Sequence, residues 1–246
     1  MKKTIMQPQV DTHTHTVVSG HSWSTLSENV HAAKVRGLAG FCLTEHGPAM
    51  PGGAPEYTPH SEQMLPSIID DIRVYRGIEA NILDFAGRLD IPDHYLRLTE
   101  FAIASFHPTF MDVGTVEQNT NAYLGALQNP WIDTIGHADD PSVPCDLEAL
   151  VLEAKKLDKL IELNNNSLTP HRPNSRDNIT KYALLCKQHD VPVCVASDAH
   201  YYTMVGNVGP LMTLLAEISF PQELIINMTQ ERFETFLATR KKAKNR

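Results

Sequence analysis

The chain predicts an α/β fold in which seven β/α units close into a barrel slightly smaller than the usual eight-stranded one. Three observations carry this expectation. Seven short segments rich in Val, Ile, Leu or Phe recur along the chain, as strands covered on both faces should be. Polar or amphipathic segments of helical length lie between them, and that alternation argues for parallel strands with right-handed crossovers. Metal-capable side chains stand directly after most of the strands, where the C-terminal strand ends of a barrel form one mouth.

The strands are expected at Gln9–Thr12, Gly40–Leu43, Val74–Glu79, Phe101–Ser105, Ile132–Ile135, Leu160–Leu163 and Pro192–Ala196. Helix signals fall between them. Thr25-Leu26-Ser27-Glu28 reads as a capping box opening a helix to Arg36, with Gly37 as its C-cap. Asp146 is expected to cap a helix carrying Leu147, Leu150, Val151 and Ala154 on one face. Ser175 is expected to open a helix through Tyr182 to Lys187, and Thr229 to cap a last helix over 229–246. The basic end of that helix, Arg240-Lys241-Lys242, complements its dipole and reads as a solvated terminus. Pro51-Gly52-Gly53-Ala54-Pro55 reads as a loop, because the β/α alternation continues on both sides and leaves one domain over 1–246.

Composition narrows the function classes. A chain of 246 residues can bury a substantial core without disulfides or structural metals. Its formal charge of -8 disfavours a nucleic-acid binder that works through a basic surface. That charge says little about a small anionic substrate, since bound dications would dominate the field inside a site. Cys42, Cys145, Cys186 and Cys194 have no CxxC spacing and read as structural thiols of a reducing cytosol. The start MKKTIMQPQV lacks the apolar stretch of a signal peptide. No run approaches the ~20 apolar residues of a membrane span. A cytoplasmic protein without a membrane partner is the expectation.

The chemistry is carried by His13, His15, His21, His46, Glu79, His107, His137, Asp198 and His200. In Asp11-Thr12-His13-Thr14-His15, side chains at i and i+2 of an extended backbone point the same way, so His13 and His15 can grip one ion. Asp11 shares that face and could accept the free N–H of a ligating imidazole. Ser197-Asp198-Ala199-His200 repeats the geometry after the last strand. Glu79 is a carboxylate at a barrel mouth, costly there unless paired or metal-bound. His46, His107 and His137 each follow a strand, whereas Leu160–Leu163 leads to Asn164, Asn165 and Asn166, which can orient a ligand. Imidazole with carboxylate suits zinc, manganese or iron and suits calcium poorly. His31, His60, His94 and His189 fall on helices or loops and read as surface or packing residues. The chain reads as a multinuclear metalloenzyme.

The segments V-D-T-H-T-H, T-E-H-G, G-I-E-A-N, S-F-H-P, I-G-H and S-D-A-H resemble the PHP superfamily of polymerase-associated and histidinol phosphatase domains. Their order and spacing are most similar to the stand-alone YcdX-like phosphatases, over essentially the whole chain. The resemblance implies a distorted (β/α)7 TIM-like barrel, a single domain holding three divalent metal ions, Zn2+ in the first instance with Mn2+ or Fe2+ as alternatives. By the same resemblance His13, His15, Glu79 and Asp198 would hold one ion. Glu79, His107 and His137 would hold the second, with Glu79 bridging, and His21, His46 and His200 the third.

The expected activity is hydrolysis of a small phosphomonoester by hydroxide activated at the trinuclear centre. Glu79 and Asp198 are the expected catalytic carboxylates, and Arg172, Arg76 and Arg176 are candidate phosphate clamps, with His171 near the same loop. The loops at 51–59 and 109–114 are expected to shape the pocket. A PHP-type phosphodiesterase or exonuclease is the alternative within this chemistry, and an amidohydrolase the alternative outside it. The amidohydrolase family also opens with H-x-H, but generally places a bridging lysine or carboxylate after strand four, where this chain has His107-Pro108. A metal-binding scaffold without catalysis is disfavoured because no ligand position is lost.

Overall fold

The computed structural model describes residues 6–244, with side chains described to Lys241. The first lysines of the N-terminus and the side chain of Lys242 in the basic tail therefore lie outside the described residues. The strands are β1 (Val10–Thr14), β2 (Gly40–Leu43), β3 (Ile68–Ile69), β4 (Ile72–Asn81), β5 (Phe101–Ser105), β6 (Thr134–Ile135), β7 (Leu160–Asn164) and β8 (Val193–Ala196). All seven expected strands are present and parallel in the order β1-β2-β4-β5-β6-β7-β8. The short β3 was not expected; it pairs antiparallel with the start of β4, which begins two residues earlier than its Val-rich core suggests.

The main helices are α1 (Leu26–Arg36), α2 (Thr58–Ser61), α3 (Asp93–Leu96), α4 (Val116–Gln128), α5 (Leu147–Lys156), α6 (Arg176–Gln188), α7 (Gly209–Glu217) and α8 (Gln230–Lys244). Local sequence accounts for most of their ends. Thr25 and Glu28 close a capping box on α1, and Gly37 ends it at φ 77°, a left-handed conformation that costs glycine little. Asp146 accepts hydrogen bonds from the Glu148 and Ala149 amides, and Thr229 Oγ1 accepts one from Arg232 N at 3.3 Å. Ser175 departs from expectation: it is helical at φ -79°, ψ -13°, and its side chain makes no capping bond.

Two features distort the barrel. The ten-residue β4 changes neighbours midway, pairing with β2 over Arg73–Arg76 and with β5 over Gly77–Asn81. Gly77 sits at the switch, where a Cβ would lie 2.7 Å from Phe101 O and 3.0 Å from Leu43 O. The β8–β1 seam lacks a continuous ladder. Near the mouth it is held by the Thr14–Ala199 bridge, with His15 N donating to Ala199 O at 2.9 Å. Lower down, the amide of Asn227 substitutes for a strand. Its Nδ2 donates to Val10 O and Val195 O, both at 2.7 Å, while its Oδ1 accepts from Val195 N at 3.0 Å. Each buried backbone group that closure leaves unpaired would cost about 1–3 kcal/mol, so Asn227 stabilises the seam directly.

Apolar faces of the strands and helices α4, α5, α6 and α7 form the largest core, built around residues such as Ile78, Tyr123, Leu150, Ile161, Tyr182 and Val195. A second cluster packs α1 on β2 and β4 through Val30, Ala33, Phe41 and Val74. Inside the barrel, Val10, Cys42, Phe101, Ile103 and Cys194 pack against Phe233 of α8, which plugs the end away from the histidines. All four cysteines are free, with Cys42 and Cys194 buried in β2 and β8. Among the described residues no helix is long and apolar enough to cross a membrane.

Candidate metal centre

Because the strands are parallel, everything that follows their C-terminal ends shares one face of the barrel. Glu79, near the end of β4, is wholly buried there and touches imidazoles from four other strand ends. Its Oε2 lies 2.7 Å from His46 Nδ1, 3.3 Å from His13 Nε2 and 3.5 Å from His15 Nε2. Its Oε1 lies 3.1 Å from His137 Nε2 and 3.4 Å from His107 Nε2. Burial pushes the Glu79 carboxyl up, but the charges of His46, His13 and His107 outweigh it and hold the group well below the usual carboxylate range.

Asp198 is the second carboxylate. Its Oδ1 lies 3.3 Å from His15 Nε2, 3.5 Å from His200 Nδ1 and 3.6 Å from His13 Nε2. Burial raises its pKa, and the nearby His13 and Arg172 reverse that effect, leaving it ionised. His200 Nε2 faces His21 Nε2 at 3.0 Å, and His46 stacks between the rings of His15 and His21. The nine metal-capable residues thus form one connected cluster. His137 and Asp198 adopt φ of 33° and 54°, a left-handed conformation rare for side-chain-bearing residues. Each lies two residues beyond the end of its strand, and local strain of this kind concentrates at functional sites.

The donor set fits divalent cations. Ligand atoms of His13, His15 and Glu79, of His15, His46 and His200, and of His46, Glu79 and His107 lie within 4.8 Å of one another. His46 Nδ1 and Glu79 Oε2 approach to 2.7 Å, yet neither has a hydrogen-bond partner among the described residues. A buried imidazole nitrogen and a carboxylate oxygen this close are the kind of donors that a shared cation satisfies. Burial and the neighbouring His46 and His200 hold His15 well below its ordinary pKa, which keeps it neutral and able to donate its lone pair.

A surrounding layer orients the rings. Glu162 Oε1 lies 2.7 Å from His13 Nδ1, and its Oε2 accepts from His137 N at 2.8 Å and Asn164 Nδ2 at 3.0 Å. Asn81 Oδ1 lies 2.9 Å from His107 Nδ1. Ser19 Oγ lies 3.1 Å from His15 Nδ1 and accepts from His46 N, while donating to Glu45. Fixing the distal nitrogen in this way leaves Nε2 of His13, His15 and His107 pointing inward. Asn164 also donates to Asp198 Oδ2, and Asn166 Nδ2 to Asp198 O, so this pair orients a carboxylate. Asn165 instead accepts from Leu211 N and anchors α7.

Three expectations are corrected here. Asp11 touches no imidazole; it accepts from the amides of His13, Ser197 and Gly206 and from Ser197 Oγ, tying β1 to the turn after β8. Glu162 does for His13 what Asp11 was expected to do. Arg76 bonds Glu100 and Gln63 beside a different cavity, and Arg176 pairs with Glu217 on the surface, so neither faces the cluster. Arg172 does face it: Nη2 donates to Asp198 Oδ2 at 2.7 Å, while Nη1 is buried without a partner among the described residues.

Arg172, His21, His46, His107, His137, Asp198 and His200 line a cavity of about 390 Å³, whose rim includes Met50, Pro51 and Thr109. A contiguous cavity of about 530 Å³ adds Trp23, His171 and Tyr201. Glu162 was legible as a second buried carboxylate two residues before Asn164 on the same strand face. Trp23, 79% exposed, left no periodic signal at all.

The PHP domain model matches residues 11–240. A "Probable phosphatase" of Caldicellulosiruptor bescii is 42% identical over 229 residues, covering 93% of this chain and 95% of that protein. A "Probable phosphatase" of Acetivibrio thermocellus is 39% identical over 232 residues, covering 94% and 96%. Among solved structures, histidinol phosphate phosphatase of Lactococcus lactis, complexed with zinc, L-histidinol and phosphate, matches with a TM-score of 0.58. It is 17% identical and covers 89% of this chain and 95% of that one, a likeness of fold. The chain is a member of the PHP domain family.

Proposed function

We propose that this protein is a metal-dependent phosphomonoesterase acting on a small phosphorylated substrate, with three divalent ions, Zn2+ first among them, held by the nine clustered residues. The carrying observation is the pairing of that cluster with Arg172, which lines the same cavity and whose buried Nη1 has no partner among the described residues. In the assignment we propose, His13, His15, Glu79 and Asp198 hold one ion, Glu79, His107 and His137 a second, and His21, His46 and His200 a third. Bound dications would supply the lowered water pKa and the positive field that phosphoryl transfer to water requires.

The chain's own residues do the rest. Neutral imidazoles add no charge, so three dications against Glu79 and Asp198 leave a local charge of roughly +4. Glu162 removes one unit and Arg172 restores it, which favours a dianionic phosphate over a monoanionic diester. Asp198 Oδ2 fixes the guanidinium through Nη2, and the guanidinium so held would donate to a nonbridging phosphoryl oxygen. The 390 Å³ cavity suits a small molecule, and Trp23 and Tyr201 offer flat apolar surface to the part beyond the phosphate.

The test is hydrolysis of an aryl phosphate monoester and of the corresponding diester by chelator-stripped protein, before and after adding back zinc or manganese. Monoesterase activity that vanishes and returns with metal supports the reading. Turnover of the diester alone would replace it with a phosphodiesterase. Metal-independent turnover would overturn it.

A further inference from the structure

A second buried carboxylate stands apart from the metal cluster. Glu62 follows α2 and is only 4% exposed, yet neither of its side-chain oxygens has a hydrogen-bond partner among the described residues. An orphaned buried carboxyl is costly, most of all when ionised, unless a ligand or a proton offsets it. Glu62 lines a cavity of about 420 Å³ on the far side of the loop that follows β1. The cavity walls are apolar, from Val17, Val18, Leu26, Leu43, Tyr57 and Leu65. Val17, Val18 and Tyr57 are about half exposed, so apolar surface continues to the opening. A second carboxylate, Glu45, closes the inner wall. Burial and the charges of Glu45 and Glu100 push the Glu62 carboxyl up, against a smaller opposing pull from Arg76.

Two carboxyls in an apolar cavity, one of them unpartnered, fit a positively charged head on an apolar body. We propose that this cavity binds a small organic ammonium ion, with the cationic nitrogen on Glu62 and its carbon skeleton against Val17, Val18, Tyr57 and Leu65. The site is separate from the metal cluster but not isolated from it. Glu45 accepts from Thr16 N, Thr16 Oγ1 and Ser19 Oγ, and Ser19 in turn contacts His15 Nδ1 and accepts from His46 N. A cation bound beside Glu45 therefore acts on a carboxylate one hydrogen bond from Ser19, which contacts the His15 imidazole and accepts from the His46 backbone amide. The ligand is distinct from the substrate that Arg172 receives.

The experiment is calorimetric titration of the metal-loaded protein with phenethylammonium and with its uncharged analogue 2-phenylethanol. The expected result is saturable binding of the ammonium, at least tenfold tighter than the alcohol. Glu62→Gln should weaken ammonium binding at least tenfold, while metal content and basal hydrolysis stay unchanged. Ser61→Phe, which adds bulk from an exposed position on the cavity wall, should weaken both ligands and checks that binding occurs here. Equal binding of ammonium and alcohol, full ammonium affinity in Glu62→Gln, or no binding of either ligand overturns the proposal. Binding is read directly, so none of these outcomes depends on which ester the metal site hydrolyses.

Discussion

Glu79 and Glu62 are both removed from water, yet the protein treats them in opposite ways. Glu79 sits among five imidazoles and stays ionised; Glu62 faces apolar walls and another carboxylate, and its pKa is pushed up. Burial penalises both charges alike, so the neighbours decide the protonation state. The contrast separates a site preorganised for cations from a cavity whose carboxyl holds its proton more tightly than usual.

The largest expected effect lies on the Glu79 side of the comparison. Glu79→Ala removes the group that contacts five imidazoles, so metal content should fall by two ions and turnover by about 10³-fold or more. Retained activity would sink the bridging role. His189→Ala is its control: His189 pairs with Glu148 away from the cluster and should alter neither readout. Arg172→Ala should lower kcat/KM by about 10²-fold with metal content retained, because the lost donor acts on the phosphoryl oxygen. An equal loss on neutral ester substrates would show instead that Arg172 only steadies Asp198.

Glu162→Gln tests the layer behind the ligands. It keeps the shape but loses the charge that holds His13, and metal affinity should fall about 10- to 100-fold. Unchanged affinity in a chelator competition would mean that His13 is oriented by packing alone.

The smallest effect belongs to Glu62 and is read as stability against pH. Its folded pKa lies above the ordinary 4.5, so the native state keeps a proton that the unfolded chain has released. The stabilisation is full below the unfolded value and is lost as pH rises toward the folded one. Glu62→Gln cannot ionise, so its denaturation midpoint should gain on the wild type as pH rises above the ordinary 4.5. Parallel midpoints through that rise would mean that Glu62 titrates normally, and the contrast with Glu79 would collapse.

Local pattern and local chemistry determined much of this protein from sequence alone. Apolar runs set the seven parallel strands, the Thr25–Glu28 box and Gly37 bounded α1, and ligands after successive strands announced the common mouth. These signals are short-range: a period, a cap, an i and i+2 pair. Only tertiary structure decided which polar groups meet. Asp11 and Glu162 both lie on strands that face the cluster, yet Glu162 reaches His13 while Asp11 turns to Ser197 and Gly206. Arg172 and Arg176 are four residues apart, and one reaches Asp198 while the other reaches Glu217. Asn227 stitches a seam more than two hundred residues from Val10. Such pairings depend on strand register, barrel closure and loop path. The hydrogen bonds are specified by positions far apart in the chain, so no local periodicity encodes them.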